Sequence, residues 1–314
     1  MSNMSNKGVE VQIDSVVRPT TIVEALRLDN RLGVTLTLAI ETFQRTGSFK
    51  FRAAYNVASR VPQKMIIAAS SGNFGQAMAY ACSLLRKSCT IVMPMTSAKV
   101  KVDAVREYGG EVDLIDTRMK SRADRVRELS EKHPEAYVAS AYDDPLVIEG
   151  NASLGVEIGA LDRQLDIVVV PVGGGGLISG VIKGLKQSRR KIAVMGAEPL
   201  LGNDAARSLR AGHIVANESE PQTIADGART LSLGKHNWEI MQGNLSTIVE
   251  VPEENIIKAA RLLFEFANLK VEPTGALSLA AVLTQPDLFT GRSVCCVISG
   301  GNVDPGIYAS MLNG

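Results

Sequence analysis

The run Asp166–Val172, DIVVVPV, passes at once into Gly173-Gly174-Gly175-Gly176, and this junction restricts the fold more than any other stretch of the chain. A near-continuous apolar run leaves no face for water, which is the pattern of a parallel strand buried on both sides. Similar runs recur along the sequence. Met65–Ala69, Cys89–Met93, Glu111–Ile115, Lys191–Ala197 and Ser293–Ile298 read as strands. Between them Phe74–Lys87, Ala98–Tyr108, Lys120–His133 and Leu177–Lys186 read as helices. Strands separated by helical stretches indicate parallel βαβ units, so the expected fold class is α/β.

Composition removes several function classes. The 314 residues carry a formal net charge of +1, with 21% charged and 45% hydrophobic. That is an ordinary globular mixture with no field to draw nucleic acid or an anionic membrane, and neither partner is expected. Four cysteines do not make a disulfide framework in a chain this long, and four reduced, mostly buried thiols are expected. Cys295 and Cys296, adjacent on one strand, should face opposite sides of it. The opening MSNMSNKGVE lacks the apolar core of a signal peptide, and no run approaches a membrane span. The expected location is cytoplasmic.

Four loops carry candidate chemistry. In Thr46-Gly47-Ser48-Phe49-Lys50 the lysine lies between Phe49 and Phe51. An amine held among aromatics is desolvated, which lowers its pKa and favours attack on a carbonyl; a snorkelling lysine fits the same residues. Ser70-Ser71-Gly72-Asn73-Phe74-Gly75 joins a strand to a helix, where hydroxyls and free amides suit a carboxylate. Capping of the helix by Ser or Asn fits equally. Gly173 to Gly176 let successive backbone amides approach one anion at a helix start. With no P-loop lysine and no GxGxxG spacing, a compact phosphate monoester fits best. Ser299-Gly300-Gly301-Asn302 places a further hydroxyl at a strand end.

Together FQRTGSFKFRAA, SSGNFGQA, VPVGGGGLISG, PQTIADGA, VEPTGA and ISGGNVD resemble, in order and spacing, the fold-type-II pyridoxal-phosphate enzymes, in particular the serine racemase and serine/threonine dehydratase branch. The resemblance runs from about Arg18 to Asp304. It implies a two-domain fold like that of the tryptophan synthase β chain, with parallel-rich twisted sheets. Residues 1–64 and 143–314 would form a large cofactor-binding domain, and residues 65–142 a small mobile one. The cofactor would be pyridoxal 5'-phosphate. Lys50 would carry it as a Schiff base, with Phe49 near the ring and Asn73 on the ring hydroxyl. Gly173, Gly174, Gly175 and Gly176 would cradle the phosphate. Ser299 would face the pyridine nitrogen, with Glu272 nearby. Ser70, Ser71 and Asn73 would hold the substrate carboxylate.

The implied reaction is β-elimination of water from a small hydroxy-amino acid such as serine, threonine or 3-hydroxyaspartate, after which the aminoacrylate product falls to a 2-oxo acid and ammonia. Lys50 would take the Cα proton. Ser71 on the opposite face would permit racemisation. The alternative is β-replacement, as in cysteine synthases, but those usually carry SVKDR-like and TSGNTG-like motifs that this chain lacks. A cofactor-binding protein without turnover is a further rival. The branch also commonly binds Mg, Mn or Ca, here through Glu198, the carbonyl of Gly202 and Asp204; hard oxygen ligands suit these ions. A homodimer is the family default. Departures are IEGNAS at Ile148–Ser153, which places Glu149 and Asn151 where the family usually has other residues, Phe74 in place of a frequent histidine, and Phe266 in place of an arginine linked to nucleotide activation.

Overall fold

The computed structural model describes residues 16–70, 72–97, 99–188 and 190–313. In chain order the strands are β1 (Thr21–Glu24), β2 (Thr35–Ile40), β3 (Met65–Ala69), β4 (Ser88–Pro94), β5 (Glu111–Ile115), β6 (Tyr137–Ala139), β7 (Ile167–Pro171), β8 (Ala193–Pro199), β9 (Thr247–Val251) and β10 (Ser293–Ile298). The helices are α1 (Leu26–Leu32), α2 (Lys50–Arg60), α3 (Asn73–Leu84), α4 (Lys99–Glu107), α5 (Arg122–Lys132), α6 (Pro145–Gly159), α7 (Gly176–Leu185), α8 (Asp204–Ala211), α9 (Lys235–Met241), α10 (Glu253–Ala267), α11 (Pro273–Thr284) and α12 (Pro305–Asn313).

Two sheets form. A six-stranded sheet has the order β1-β2-β10-β7-β8-β9, and a four-stranded sheet the order β5-β4-β3-β6. Every pairing is parallel except β1 with β2. The chain is thus α/β with two parallel-rich sheets, as its sequence predicts. All four strands of the smaller sheet lie between Met65 and Ala139.

The strands β7 and β10, buried but for Ser293, lie at the centre of the larger sheet. Along β10, Val294, Cys296 and Ile298 join a core built with α10 and α11, whereas Cys295 and Val297 join the core on the α6 and α7 side. This alternation is the pleat at work, and all four cysteines are free and buried. Helices α6 and α7 approach so closely that only glycine fits between them. A Cβ at Gly184 would lie 2.1 Å from the Ala152 carbonyl, and one at Gly155 would lie 2.4 Å from that of Val181. This packing fixes the start of α7, and with it the glycine loop.

Helix α2 links the two sheets. Phe51, Ala54, Tyr55 and Ala58 pack into the core of the smaller sheet. On α2's other side Arg52 is buried. Its guanidinium donates to Glu41 at 2.8 and 2.9 Å, to Glu157 at 2.7 and 3.1 Å and to Ser153 at 2.9 Å. Buried charges persist when paired and fully hydrogen-bonded, and this cluster fixes α2 to the end of β2 and to α6. Among the described residues no helix is long and apolar enough to cross a membrane.

Candidate active site

The lysine loop reaches its place through tight turns. Gly47 adopts φ +73°, a left-handed conformation that favours glycine, and a Cβ there would lie 2.3 Å from the Asn302 amide oxygen. Ser48 pairs with Gly300 in an isolated bridge, and the Phe49 N–H donates to the Ser299 carbonyl at 3.0 Å. Lys50 then opens α2. Its amine donates to the Ala141 carbonyl at 2.6 Å and lies 5.0 Å from the centroid of Phe49 and 5.6 Å from that of Phe74. Burial holds its pKa down to about 8, against an upward pull from Glu272. The expected aromatic flank is therefore half corrected. Phe51 turns into the core against Tyr55 and Tyr80, because adjacent helical residues point in different directions, and Phe74 takes its place.

The glycine loop closes against the same strand end. Gly175 has φ +94°, and a Cβ at Gly174 would lie 2.2 Å from the Tyr142 ring. Consecutive residues thus touch both candidates: Ala141 accepts the Lys50 amine and Tyr142 lies on the glycine loop. The first turn of α7 leaves free backbone N–H groups at this place, which suits an anion.

Asn73 opens α3 and is held on both sides. Its amide donates to Glu272 at 2.7 and 3.0 Å and accepts from Asn302 at 2.9 Å. Burial, then the charge of Asp226, pushes the Glu272 carboxyl upward. Ser70 serves as a cap: its Oγ accepts from the N–H groups of Gly72 and Gly75 at 3.2 and 3.1 Å. The hydroxyl proton remains to donate to a ligand. Ser71 lies outside the described residues. The Ser299 Oγ is buried and has no hydrogen-bond partner in the structure. A buried donor left unpaired is costly, and a ring nitrogen would satisfy it.

Lys50, Asn73, the glycine loop, Glu272 and Ser299 therefore converge. Their parts fit pyridoxal phosphate: an amine of lowered pKa, a glycine loop at a helix start and an orphaned hydroxyl.

Sequence reasoning missed several groups here. Lys101 on α4 pairs with Asp226 across the gap between the sheets and lies beside Gly72. Arg122 meets Glu220 at 3.4 Å across the same gap. The Ala141 carbonyl has no local signature, and Asn302 was legible only as part of a strand-end loop. Of the departures, Asn151 donates to the Gly176 carbonyl at 3.0 Å, Glu149 pairs with Arg60, and Phe266 receives the guanidinium groups of Arg27 and Arg31 on its ring.

The candidate cation ligands lie at the end of β8 and the start of α8. Glu198 accepts from the N–H groups of Ala205 and Ala206 at 3.1 and 2.6 Å. Asp204 accepts from Asn217 through one oxygen at 2.9 Å, while its other oxygen is buried without a partner. Burial raises Glu198 to about 8 and Asp204 to about 6, and the Asp204 charge adds to the effect on Glu198. Gly202 is buried on the turn between them. Among the described residues no group of three or more His, Cys, Asp or Glu side chains could hold a metal, so a cation here would draw on backbone carbonyls or water.

Residues 13–300 match the family described as "Pyridoxal-phosphate dependent enzyme". The chain is similar to an L-threo-3-hydroxyaspartate ammonia-lyase from Pseudomonas sp, with 36% identity over 96% of each chain. It is also similar to a serine racemase from Homo sapiens, with 33% identity over 94% of this chain and 89% of that one. The processed form of threonine deaminase isoform 2 from Solanum lycopersicum superposes with a TM-score of 0.89 at 32% identity, covering 95% of this chain and 89% of that one. With its fold, its converging lysine and glycine loops and a family match across nearly its whole length, the chain belongs to the pyridoxal-phosphate-dependent enzymes of fold type II.

Proposed function

We propose that this enzyme eliminates water from a small hydroxy-amino acid, such as serine, threonine or 3-hydroxyaspartate, and that the released enamine takes water back as it hydrolyses to a 2-oxo acid and ammonia. The observation that carries the reading is the Lys50 amine, desolvated between Phe49 and Phe74 beside the glycine loop. The similar proteins named above, an ammonia-lyase, a racemase and a deaminase of amino acids, support it.

Bound pyridoxal phosphate supplies a carbonyl for the substrate amine and a conjugated ring that takes up the electron pair left at Cα. The residues do the rest. Gly173 to Gly176 hold the phosphate, and Phe49 packs near the ring. Asn73, fixed by Glu272 and Asn302, faces the ring hydroxyl. Ser299 offers a neutral donor to the pyridine nitrogen. A neutral hydroxyl at that place would not hold the ring nitrogen protonated as a carboxylate would, which would favour loss of the β-hydroxyl. Ser70, Ser71 and Asn73 hold the substrate carboxylate. Lys50, whose pKa is lowered to about 8 by burial, takes the Cα proton as general base in its neutral form, and the Ala141 carbonyl accepts from the resulting ammonium. Ser71 returns a proton to the other face, giving racemisation as a side reaction.

Residues 65–142 act as the small unit that closes on substrate and excludes water, with Lys101–Asp226 and Arg122–Glu220 bridging to the large one. Glu198, Gly202 and Asp204 hold a divalent cation, which relieves the crowding of two buried carboxylates. The working form is a cytoplasmic homodimer.

The test is to incubate the enzyme separately with L-serine, D-serine, L-threonine and threo-3-hydroxyaspartate and to measure 2-oxo acid and ammonia. Equimolar release from at least one is expected. No release from any, with a thioether or cysteine formed from an activated serine and a thiol or sulfide, would replace elimination by β-replacement.

A further inference from the structure

Behind the glycine loop lies a buried amide that plays no part in the chemistry above. Asn237, on α9, is fully buried, and its Nδ2 donates to the Gly174 carbonyl at 2.7 Å and to the Tyr142 carbonyl at 3.1 Å. Both amide protons are thus committed. Its Oδ1 is buried with no hydrogen-bond partner in the structure. An unpaired buried oxygen is destabilising, and an apolar side chain of the same size would carry no such cost. What the amide adds is two donors aimed at two carbonyls, one of them in the glycine loop.

The aim of that donor has a geometric consequence. In a trans peptide the C=O and the following N–H point in opposite directions. Drawing the Gly174 carbonyl toward α9 therefore turns the Gly175 N–H away from α9. That side of the loop is filled: a Cβ at Gly175 would meet Asn237 Cβ at 2.9 Å and Met241 Sδ at 3.0 Å. The N–H is thereby left on the side free to take an anion. The Gly234 N–H assists at 3.1 Å, and the Ser179 hydroxyl ties α7 to the Asn237 carbonyl at 3.3 Å.

We infer that Asn237 is a positioning residue: it sets the Gly174–Gly175 peptide so that the glycine loop presents its N–H groups to the phosphate of the cofactor, and it ties the loop to the Tyr142 segment. The inference rests on the glycine loop as the phosphate site, and the experiment separates the two.

Cofactor-free protein is titrated with pyridoxal phosphate and with pyridoxal, which lacks the phosphate, and the ratio of the two affinities is read. In wild type, phosphate should strengthen binding many-fold; equal affinities would sink the phosphate site itself and this inference with it. Asn237→Asp keeps the shape but sets acceptor oxygens against two carbonyls, and Asn237→Ala simply removes the donors. Each should weaken pyridoxal phosphate binding by roughly tenfold or more, the scale of one lost hydrogen bond, while pyridoxal binding stays within about twofold. Two variants guard against one that fails to fold. Asn56→Ala is the control, since its amide donates to the Leu146 carbonyl at 2.7 Å and makes no recorded contact with the loop; it should lower the melting temperature and leave the ratio alone. Equal weakening toward both ligands, or no weakening, in the Asn237 variants would overturn the inference.

Discussion

Lys50→Met should make the cofactor-free protein more stable at neutral pH, and the size of the effect should depend on pH in a defined way. Methionine keeps an unbranched chain and removes the charge. Burial lowers the Lys50 pKa from 10.5 to about 8. Below pH 8 the amine is protonated in both folded and unfolded chains, so the full cost of burying the ammonium is present. At about 1.4 kcal/mol per pKa unit this is on the order of 3 kcal/mol. Between pH 8 and 10.5 the unfolded chain binds more protons than the folded one, so wild-type stability rises with pH, and above 10.5 the cost is gone. Against this the variant loses the bond from Lys50 to the Ala141 carbonyl, worth roughly 1.5–3 kcal/mol for a charged donor. The variant should therefore be more stable than wild type by about 1 kcal/mol at pH 7 and should lose that advantage by about pH 10. Glu272 attracts the Lys50 ammonium, and the lowered value of about 8 already contains that pull, so the variant loses this attraction together with the burial cost. Urea unfolding of both cofactor-free proteins from pH 6.5 to 10 measures this. Parallel curves, with a constant difference across that range, would refute a buried amine titrating near 8.

Arg52→Leu removes one member of a buried charge cluster and leaves Glu41, itself buried, without its partner. A loss of roughly 3–5 kcal/mol is expected in chemical unfolding; a loss under about 1 kcal/mol would show that the cluster contributes little. Ser71→Ala should keep elimination from an L-substrate while inversion at Cα, followed by solvent deuterium, falls roughly 10²–10⁴-fold; undiminished inversion would remove Ser71 from that role. Chelation should lower the melting temperature of wild type, with recovery on adding Mn, because a ligand bound only to the folded state stabilises it. Asp204→Asn should abolish that response, and a wild type indifferent to chelator would remove the cation.

The legible parts of the fold were those written in local pattern. Met65–Ala69, Glu111–Ile115 and Ser293–Ile298 form strands with the bounds their apolar runs predict. Helices α6 and α11 did not announce themselves. PLVIEGNASLGVEIG carries glycines that look like loop residues, yet Gly155 is what allows α6 to meet α7. PTGALSLAAVLT is apolar on every side because it is buried on nearly every side, so it shows no amphipathic period. In the site, the lysine and glycine loops were legible because each concentrates unusual residues in one short stretch. Ala141, Asn237 and the Lys101–Asp226 pair were not. Their roles come from contacts across 63 to 125 residues of chain, and a carbonyl or a lone asparagine carries no local mark.

In the proposed mechanism Lys50 is the residue that bonds the cofactor. Borohydride reduction of the purified enzyme, followed by proteolysis and mass mapping of pyridoxyl-modified peptides, tests it most directly. One modified lysine is expected, Lys50, with loss of the label in Lys50→Met. A label on another lysine, such as the buried Lys101 beside Gly72, or full turnover by Lys50→Met, would contradict it.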